Sequence, residues 1–399
     1  MLPPRTRSGR LVAVLGWTVA GGTVLAVWLW LLVLHGGFWR TDQRLPVRGT
    51  PASRPSLAIV VPARREAGVL PRTLPALLRQ ECPGPTRVIL VDDASDDGTG
   101  ALAESLASTS GAVLPLTVTS PGAPPEGWTG KTWAMAHGLA RAAEVDYVLF
   151  TDADIVHAPG SVRDLVAAAE GGYDLVSQMA RLRTDSRWER LLVPAFVYFF
   201  ALLFPFRRVN DPAARTAAAA GGCVLVRHGA LARAGGVEAV RGAVIDDVAL
   251  ARAVKRAGGR IWLGLAEKVR SVRSYPRLGD LWHMISRTAY TQLRYSPALL
   301  GATVVGLVVV FLGPVVVTSA GLALGALLPS LLGAGCWLIM AGTFVPMLRY
   351  HGRPGVAAFL LPATAVLYTL MTLDSARRHR CGRGASWKGR SYPASRTVE

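Results

Sequence analysis

The sequence predicts an α/β domain built on a mostly parallel sheet and flanked by membrane helices. Two observations carry that reading. Short apolar runs rich in β-branched residues alternate with helix-length segments between residues 57 and 150, and such alternation builds parallel sheets with helices on their faces. On either side of the polar region the chain has long stretches almost free of charge.

Residues 11–34 carry no charge and are dominated by Leu, Val, Trp, Ala and Gly. At about 1.5 Å per residue this run crosses a hydrocarbon layer of about 30 Å. It is too long for a signal-peptide core, so residues 1–39 read as a retained anchor. Residues 40–56, rich in Arg, Pro, Thr, Ser and Gly, read as a linker.

The polar region, 57–296, follows. Leu57–Val61 and Arg87–Val91 are short apolar runs typical of strands buried on both faces, with helix-like Leu70–Gln80 between them. A helix is expected over Thr99–Leu106, a strand over Val113–Val118, a helix over Lys131–Ala143 and a strand over Tyr147–Phe150. The segment 188–208 is apolar, aromatic, bracketed by Arg and interrupted by Pro194 and Pro205. It reads as an interfacial segment at headgroup level, with a buried core helix as the alternative. From Pro297 to Leu373 the only charges are Arg349 and Arg353. This C-terminal tract, 297–374, divides into spans near 298–319, 323–346 and 356–373, and a basic tail, 375–399, ends the chain.

The formal net charge is +18 and 51% of residues are hydrophobic. The arginines crowd the edges of the apolar segments: Arg5, Arg7 and Arg10, then Arg40, Arg44, Arg48 and Arg54, then 377–390. Anionic lipid explains that placement better than nucleic acid does. Cys82, Cys223, Cys336 and Cys381 are far apart and form no CxxC pair, which argues against a zinc or redox motif. No HExxH or GxSxG stretch supports hydrolytic chemistry.

The polar motifs follow the expected strands. "PARREA" follows the first, "DDASDDGT" the second and "TDAD" the one at 147–150. In open α/β sheets that carboxyl edge is where ligands bind. Asp152 and Asp154, two apart in an extended segment, would point to one side and repel unless a cation lies between them. Mg²⁺ or Mn²⁺ fits such hard oxygen ligands; the bland alternative is a strand-end turn with chance acids. Asp92, Asp93, Asp96 and Asp97 crowd one loop, where helix capping competes with hydrogen bonding to a base and a ribose. "GWTGKTWA" lacks a P-loop because Pro125 stands where glycine is needed, yet its approach to a helix N-terminus, with Lys131, suits a phosphate. Asp246 and Asp247 open a further helix, where acids stabilise the first turn; Asp247 is alternatively a general base.

Taken in order, "VVPARREA", "VDDASDDGT", "GWTGKTWA", "TDADI", "GGCVLVRHGAL" and "IDDVALARAVKRAG" resemble the family 2 inverting glycosyltransferases of the GT-A fold, over roughly residues 57–295. "PEGWTGKTWA", "SRTAYTQLRYSP" and the membrane arrangement look most like the hopanoid-biosynthesis-associated branch, and carotenoid glycosyltransferases share much of this. The resemblance implies a nucleotide-sugar donor held by Pro62, Arg64, Glu66 and Asp92 or Asp93. It implies a metal pair in Asp152 and Asp154, a catalytic base in Asp247, and an acceptor side at Gly221 and Gly222, with Asp246 beside it. Processive members carry Gln-x-x-Arg-Trp after the base. Here the stretch is Gln292-Leu293-Arg294-Tyr295, so Arg294 is left as a diphosphate contact and a single transfer to a lipid is expected. The alternatives are a polyprenyl phosphate acceptor and, more remotely, a non-catalytic sugar-nucleotide scaffold. A cytosolic donor places the main domain on the cytoplasmic side of the cell membrane. Four spans would then leave both Arg-rich termini outside, against the positive-inside rule, which makes 356–373 a candidate re-entrant segment.

Overall fold

In the computed structural model the described residues are 7–46, 53–142, 144–382, 386–387 and 390–391. Arg5, Arg48, residues 47–52 of the expected linker, Ala143 and most of the basic tail lie outside them. The chain divides into two units. One comprises 1–41, 184–205 and 276–377; the other comprises 42–183, 206–275 and 378–399. The polar unit is therefore not the continuous 57–296 expected from sequence, because 184–205 and 276–296 belong with the apolar helices.

Among the described residues, the main sheet of the polar unit has eight strands: β1 (Leu57–Ala63), β2 (Thr86–Asp92), β3 (Leu116–Thr119), β4 (Tyr147–Thr151), β5 (Ile155–His157), β6 (Leu175–Arg181), β7 (Cys223–Arg227) and β8 (Ile261–Ser271). Their spatial order is β3-β2-β1-β4-β7-β6-β8-β5. The first four are mutually parallel, with Leu57 opposite both Thr86 and Tyr147. β7 runs antiparallel to both β4 and β6, and β8 is parallel to β6. Every residue of β1 and β4 is buried, as continuous apolar runs require of central strands. The chain moves outward from β1 to β3 and then returns to the other side of β1 with β4. That reversal opens a crevice at the carboxyl ends of β1 and β4.

The helix Gly130–Ala140 covers β1 and β2. Its approach depends on Gly138, where a Cβ would lie 2.4 Å from a Val60 methyl. Thr129 caps this helix by accepting from the Thr132 N–H at 3.1 Å. One strand is shorter than expected: Val113 and Leu114 both donate their N–H groups to Leu78 O instead of joining β3.

The other unit is helical. Among the described residues, four helices are long and apolar enough to cross a membrane: Ser8–Val33, Pro297–Ala323, Leu327–Tyr350 and Gly355–Arg380. The segment expected to be re-entrant, 356–373, falls inside the last of these. The second contains a π-turn, Val308–Leu312, immediately before Gly313-Pro314. Pro314 has no N–H to give the preceding turn, and a locally widened turn absorbs the break. Residues 188–208, expected at headgroup level, contribute the helix Arg187–Leu203, opened by a capping box between Ser186 and Glu189. Its Leu192, Val193, Val197 and Tyr198 are buried. Tyr198 bonds Thr343 at 2.8 Å, and Tyr368 donates to Leu192 O at 2.9 Å. Among the described residues this helix packs as a core element of its unit.

Candidate active site

Pro62 from β1, Phe150 and Thr151 from β4, Asp152 just after it, Lys131, Gly221, and Asp246 and Asp247 line one cavity at the reversal between β1 and β4. Lys131 sits in the first turn of the helix Gly130–Ala140. Its ammonium lies 3.0 Å from Asp152 Oδ1 and 3.2 Å from Asp246 Oδ2. Asp246 and Asp247 begin the helix Asp246–Arg256, which has no side-chain cap of its own. Asp247 Oδ1 accepts from the Val248 N–H at 2.7 Å and Oδ2 accepts from the Gly221 N–H at 2.6 Å. A side chain at Gly221 would crowd the site, since its Cβ would stand 3.1 Å from Asp247 Oδ2 and 3.2 Å from Lys131 Nζ and both would have to give way.

The electrostatics follow from three carboxylates sharing one ammonium. Burial, and then the neighbouring Asp246, push the Asp247 carboxyl up to about 7, against the pull of Lys131 and the two backbone N–H groups. Burial raises Asp152 as well, with Lys131 opposing and Asp154 and Asp246 adding to the rise. Burial would lower Lys131, but Asp152, Asp246 and Asp247 overcome it and hold the ammonium firmly protonated.

Asp154 takes a different direction from the one expected. Asp152, Ala153 and Asp154 form a turn between β4 and β5 rather than an extended segment, with the Ile155 N–H closing on Asp152 O. The same-side rule of a strand therefore does not apply. Asp154 Oδ2 accepts from Ser271 Oγ at 2.8 Å and from Arg273 Nε at 3.0 Å. Arg273 also donates to both oxygens of Glu66, at 2.8 and 2.9 Å. Sequence reasoning missed Arg273; its only signal was a basic residue just past a strand-length run.

The acidic loop after β2 is bound to the loop after β1. Arg64 donates to Asp93 O and pairs with its carboxylate at 3.4 Å. Arg65 forks onto Asp96. The Ala67 N–H donates to Asp97, and Ser95 donates to Asp92. Arg65 (φ 52) and Ala94 (φ 49) both take left-handed backbone, a strain of about 1 kcal/mol or more each that these cross-links hold in place. Gly222 O accepts from Thr151 Oγ1 at 2.9 Å, which ties the acceptor-side glycines to the end of β4. Arg294 belongs to the helical unit, in a turn ahead of Pro297 where it and Tyr295 are both left-handed (φ 51 and 55).

For a divalent ion, the donor set fits at Asp152. Its carboxylate is 36% exposed into the cavity, and the buried acids around it exceed the single Lys131 charge. Asp154 is engaged by Arg273 and Ser271, so its contacts differ from those of Asp152. Among the described residues, no group of three or more His, Cys, Asp or Glu is arranged to hold one.

The model for glycosyl transferase family 2 matches residues 58–235. This chain carries a family 2 glycosyltransferase domain. The sheet behind that match is mixed and mostly parallel. An undecaprenyl-phosphate 4-deoxy-4-formamido-L-arabinose transferase from Aeromonas hydrophila is 32% identical over 136 residues, which span 34% of this chain and 39% of that protein. A mannosyltransferase from Pyrobaculum calidifontis, solved with GDP-Man and Mn²⁺, is 19% identical with a TM-score of 0.48, covering 91% of this chain and 98% of the other. A glucosyl-3-phosphoglycerate synthase from Mycobacterium tuberculosis, solved with Mg²⁺ and UDP, is 22% identical with a TM-score of 0.39, covering 60% and 79%.

Proposed function

We propose that this protein is a membrane-bound, inverting glycosyltransferase that moves one sugar from a nucleotide-sugar donor to a lipid acceptor, a hopanoid or similar isoprenoid lipid. The observation that carries the reading is Asp247. Its carboxylate opens on the same cavity as Lys131 and Asp152, at the sheet's switch point, and titrates near neutrality. A base poised near the working pH suits proton removal from a hydroxyl.

In this reading Asp247 takes the proton of the acceptor hydroxyl. The freed oxygen attacks the anomeric carbon from the face opposite the leaving group. The bond from that carbon to the diphosphate breaks, and the nucleoside diphosphate departs with the electron pair. One displacement inverts the configuration. The Gly221 N–H and the helix N-terminus fix the orientation of Asp247. Lys131 places positive charge where the diphosphate arrives. Pro62, Arg64, Glu66 and Asp92 or Asp93 form the nucleotide side, and Arg294 is a candidate diphosphate contact. Asp152 would hold Mg²⁺ or Mn²⁺ with the donor's phosphate oxygens completing the ligand set, as suits ions bound by one or two carboxylates plus substrate. Such an ion would supply Lewis-acid stabilisation of the leaving diphosphate. Asp154 acts here through Arg273, as a brace for the turn that carries Asp152.

The Aeromonas relative is named for an undecaprenyl phosphate acceptor, which favours a second reading. A lipid phosphate would attack already ionised and would need no base. The test of the function is a donor screen with membranes and extracted lipids, read by mass analysis. We expect one hexose-sized addition to a neutral isoprenoid lipid. A product on polyprenyl phosphate would select the second reading, and nucleotide-sugar binding without any product would select the scaffold.

A further inference from the structure

Lys131 occupies an unusual place for a residue that meets an incoming phosphate. Its ammonium is clasped between Asp152, just past the end of β4, and Asp246, at the start of the helix Asp246–Arg256, at 3.0 and 3.2 Å. Asp247 adds its field from the same cavity. The ammonium therefore fills the gap between carboxylate oxygens in which a hard cation would sit. The neighbouring acid, Asp154, is already neutralised by Arg273 and leaves Asp152 with Lys131 as its counter-charge. Two cations cannot share this gap without strong mutual repulsion, because burial weakens the screening between them.

We propose that Lys131 is a built-in counter-ion that a divalent cation must displace, so that the metal and the anionic donor enter together. The inference rests on the glycosyltransferase reading of this site. With no donor present, a cation arriving at Asp152 meets the ammonium already seated between Asp152 and Asp246. When a diphosphate arrives, its charge compensates both the cation and the released ammonium. Metal and donor affinity are then positively coupled through one side chain, and the coupling is reciprocal. The design keeps the free site electrically stable and prevents unproductive metal loading.

The experiment is a titration of Mn²⁺ alone, followed by its electron paramagnetic resonance signal, against the full-length protein in detergent. Wild type, Lys131→Met, Lys131→Gln and Lys131→Arg are compared, with a melting curve for each. Removing the ammonium is expected to tighten Mn²⁺ binding by at least about tenfold, the low end of what one unit charge exerts at contact distance in a partly buried site. Lys131→Arg keeps the charge and should bind Mn²⁺ as weakly as wild type. Adding Asp152→Asn to Lys131→Met should abolish the gain. Because two neutral variants are made, either one that folds decides the outcome. If a folded neutral variant binds Mn²⁺ no more tightly than wild type, the counter-ion role is overturned. Were that to occur while the wild type still transfers sugar, the function would stand without this device. A wild type that binds no nucleotide sugar would instead overturn the function, whatever the Mn²⁺ titration gives.

Discussion

Two groups of acids lie in the polar unit, and they are treated in opposite ways. The loop after β2 holds Asp92, Asp93, Asp96 and Asp97, and each is answered nearby: Ser95 for Asp92, Arg64 for Asp93, Arg65 for Asp96, and the Ala67 N–H for Asp97. The cavity holds Asp152, Asp246 and Asp247 around one Lys131. The first group is denser in sequence, yet its charge is spent on fastening two loops together. The second is scattered over about 100 residues and keeps a surplus of negative charge. Crowding of acids in a sequence is therefore a poor guide to where a cationic or phosphate-bearing ligand goes; unanswered charge in a cavity is a better one.

The comparison is most sharply tested at Asp247. Asp247→Asn keeps size and one of the two accepted backbone hydrogen bonds but removes the proton acceptor, so turnover should fall at least about 10²-fold with donor affinity retained. Asp246→Asn should cost much less. Near-normal turnover in the Asp247 variant would point to an acceptor that arrives ionised. The opposite behaviour is expected at Arg64→Ala, which strips the guanidinium from the fully buried Asp93. Weakening the hold on a buried charge is destabilising, so the denaturation midpoint should fall, and donor affinity with it, since Arg64 lies on the nucleotide side.

A smaller effect follows from pH. Asp247 stands at about 7 against an ordinary 3.8, so the native state keeps a proton that the unfolded chain has released. The stabilisation from that proton is complete below about 4 and is lost as pH rises to about 7. Turnover should move the other way and rise through about 7, since only the ionised form accepts a proton. Both slopes should vanish in Asp247→Asn, which a pH series of melting curves and rates would check. The least effect is expected at Arg65→Ala. Its pair with Asp96 is exposed to solvent and salt, and such pairs contribute little; unchanged turnover and a nearly unchanged melting curve are the expected readings. A large loss there would mean that the crossed loops, not the cavity acids, govern the site.

Much of the architecture was legible because it rests on patterns with short-range causes. β1, β2 and β4 announce themselves as continuous apolar runs, and the polar motifs at their carboxyl ends place the crevice. The pairing of Asp152 with Asp246 was not legible, since it depends on how a turn and a helix start meet across the sheet. The divergence of Asp154 was hidden for the same reason: a turn replaces the extended backbone on which a two-residue spacing has meaning. Residues 188–208 read two ways in the sequence, because an apolar helix with prolines looks alike whether it lies at an interface or packs among other helices.

Lys255 has a structural consequence beyond its own neighbourhood. It donates to three backbone oxygens, Val209 O, Asp211 O and Thr216 O, each at 2.8 Å. Lys255 stands in the last turn of the same helix whose first turn carries Asp247. The strand of chain from 209 to 221 is thereby pinned twice to one rigid rod, by Lys255 at one end and by the Gly221 N–H on Asp247 at the other. Its contour length is fixed by the length of that rod. A residue inserted or deleted between Thr216 and Gly221 cannot be absorbed by sliding, so this short stretch should tolerate changes of side chain far better than changes of length.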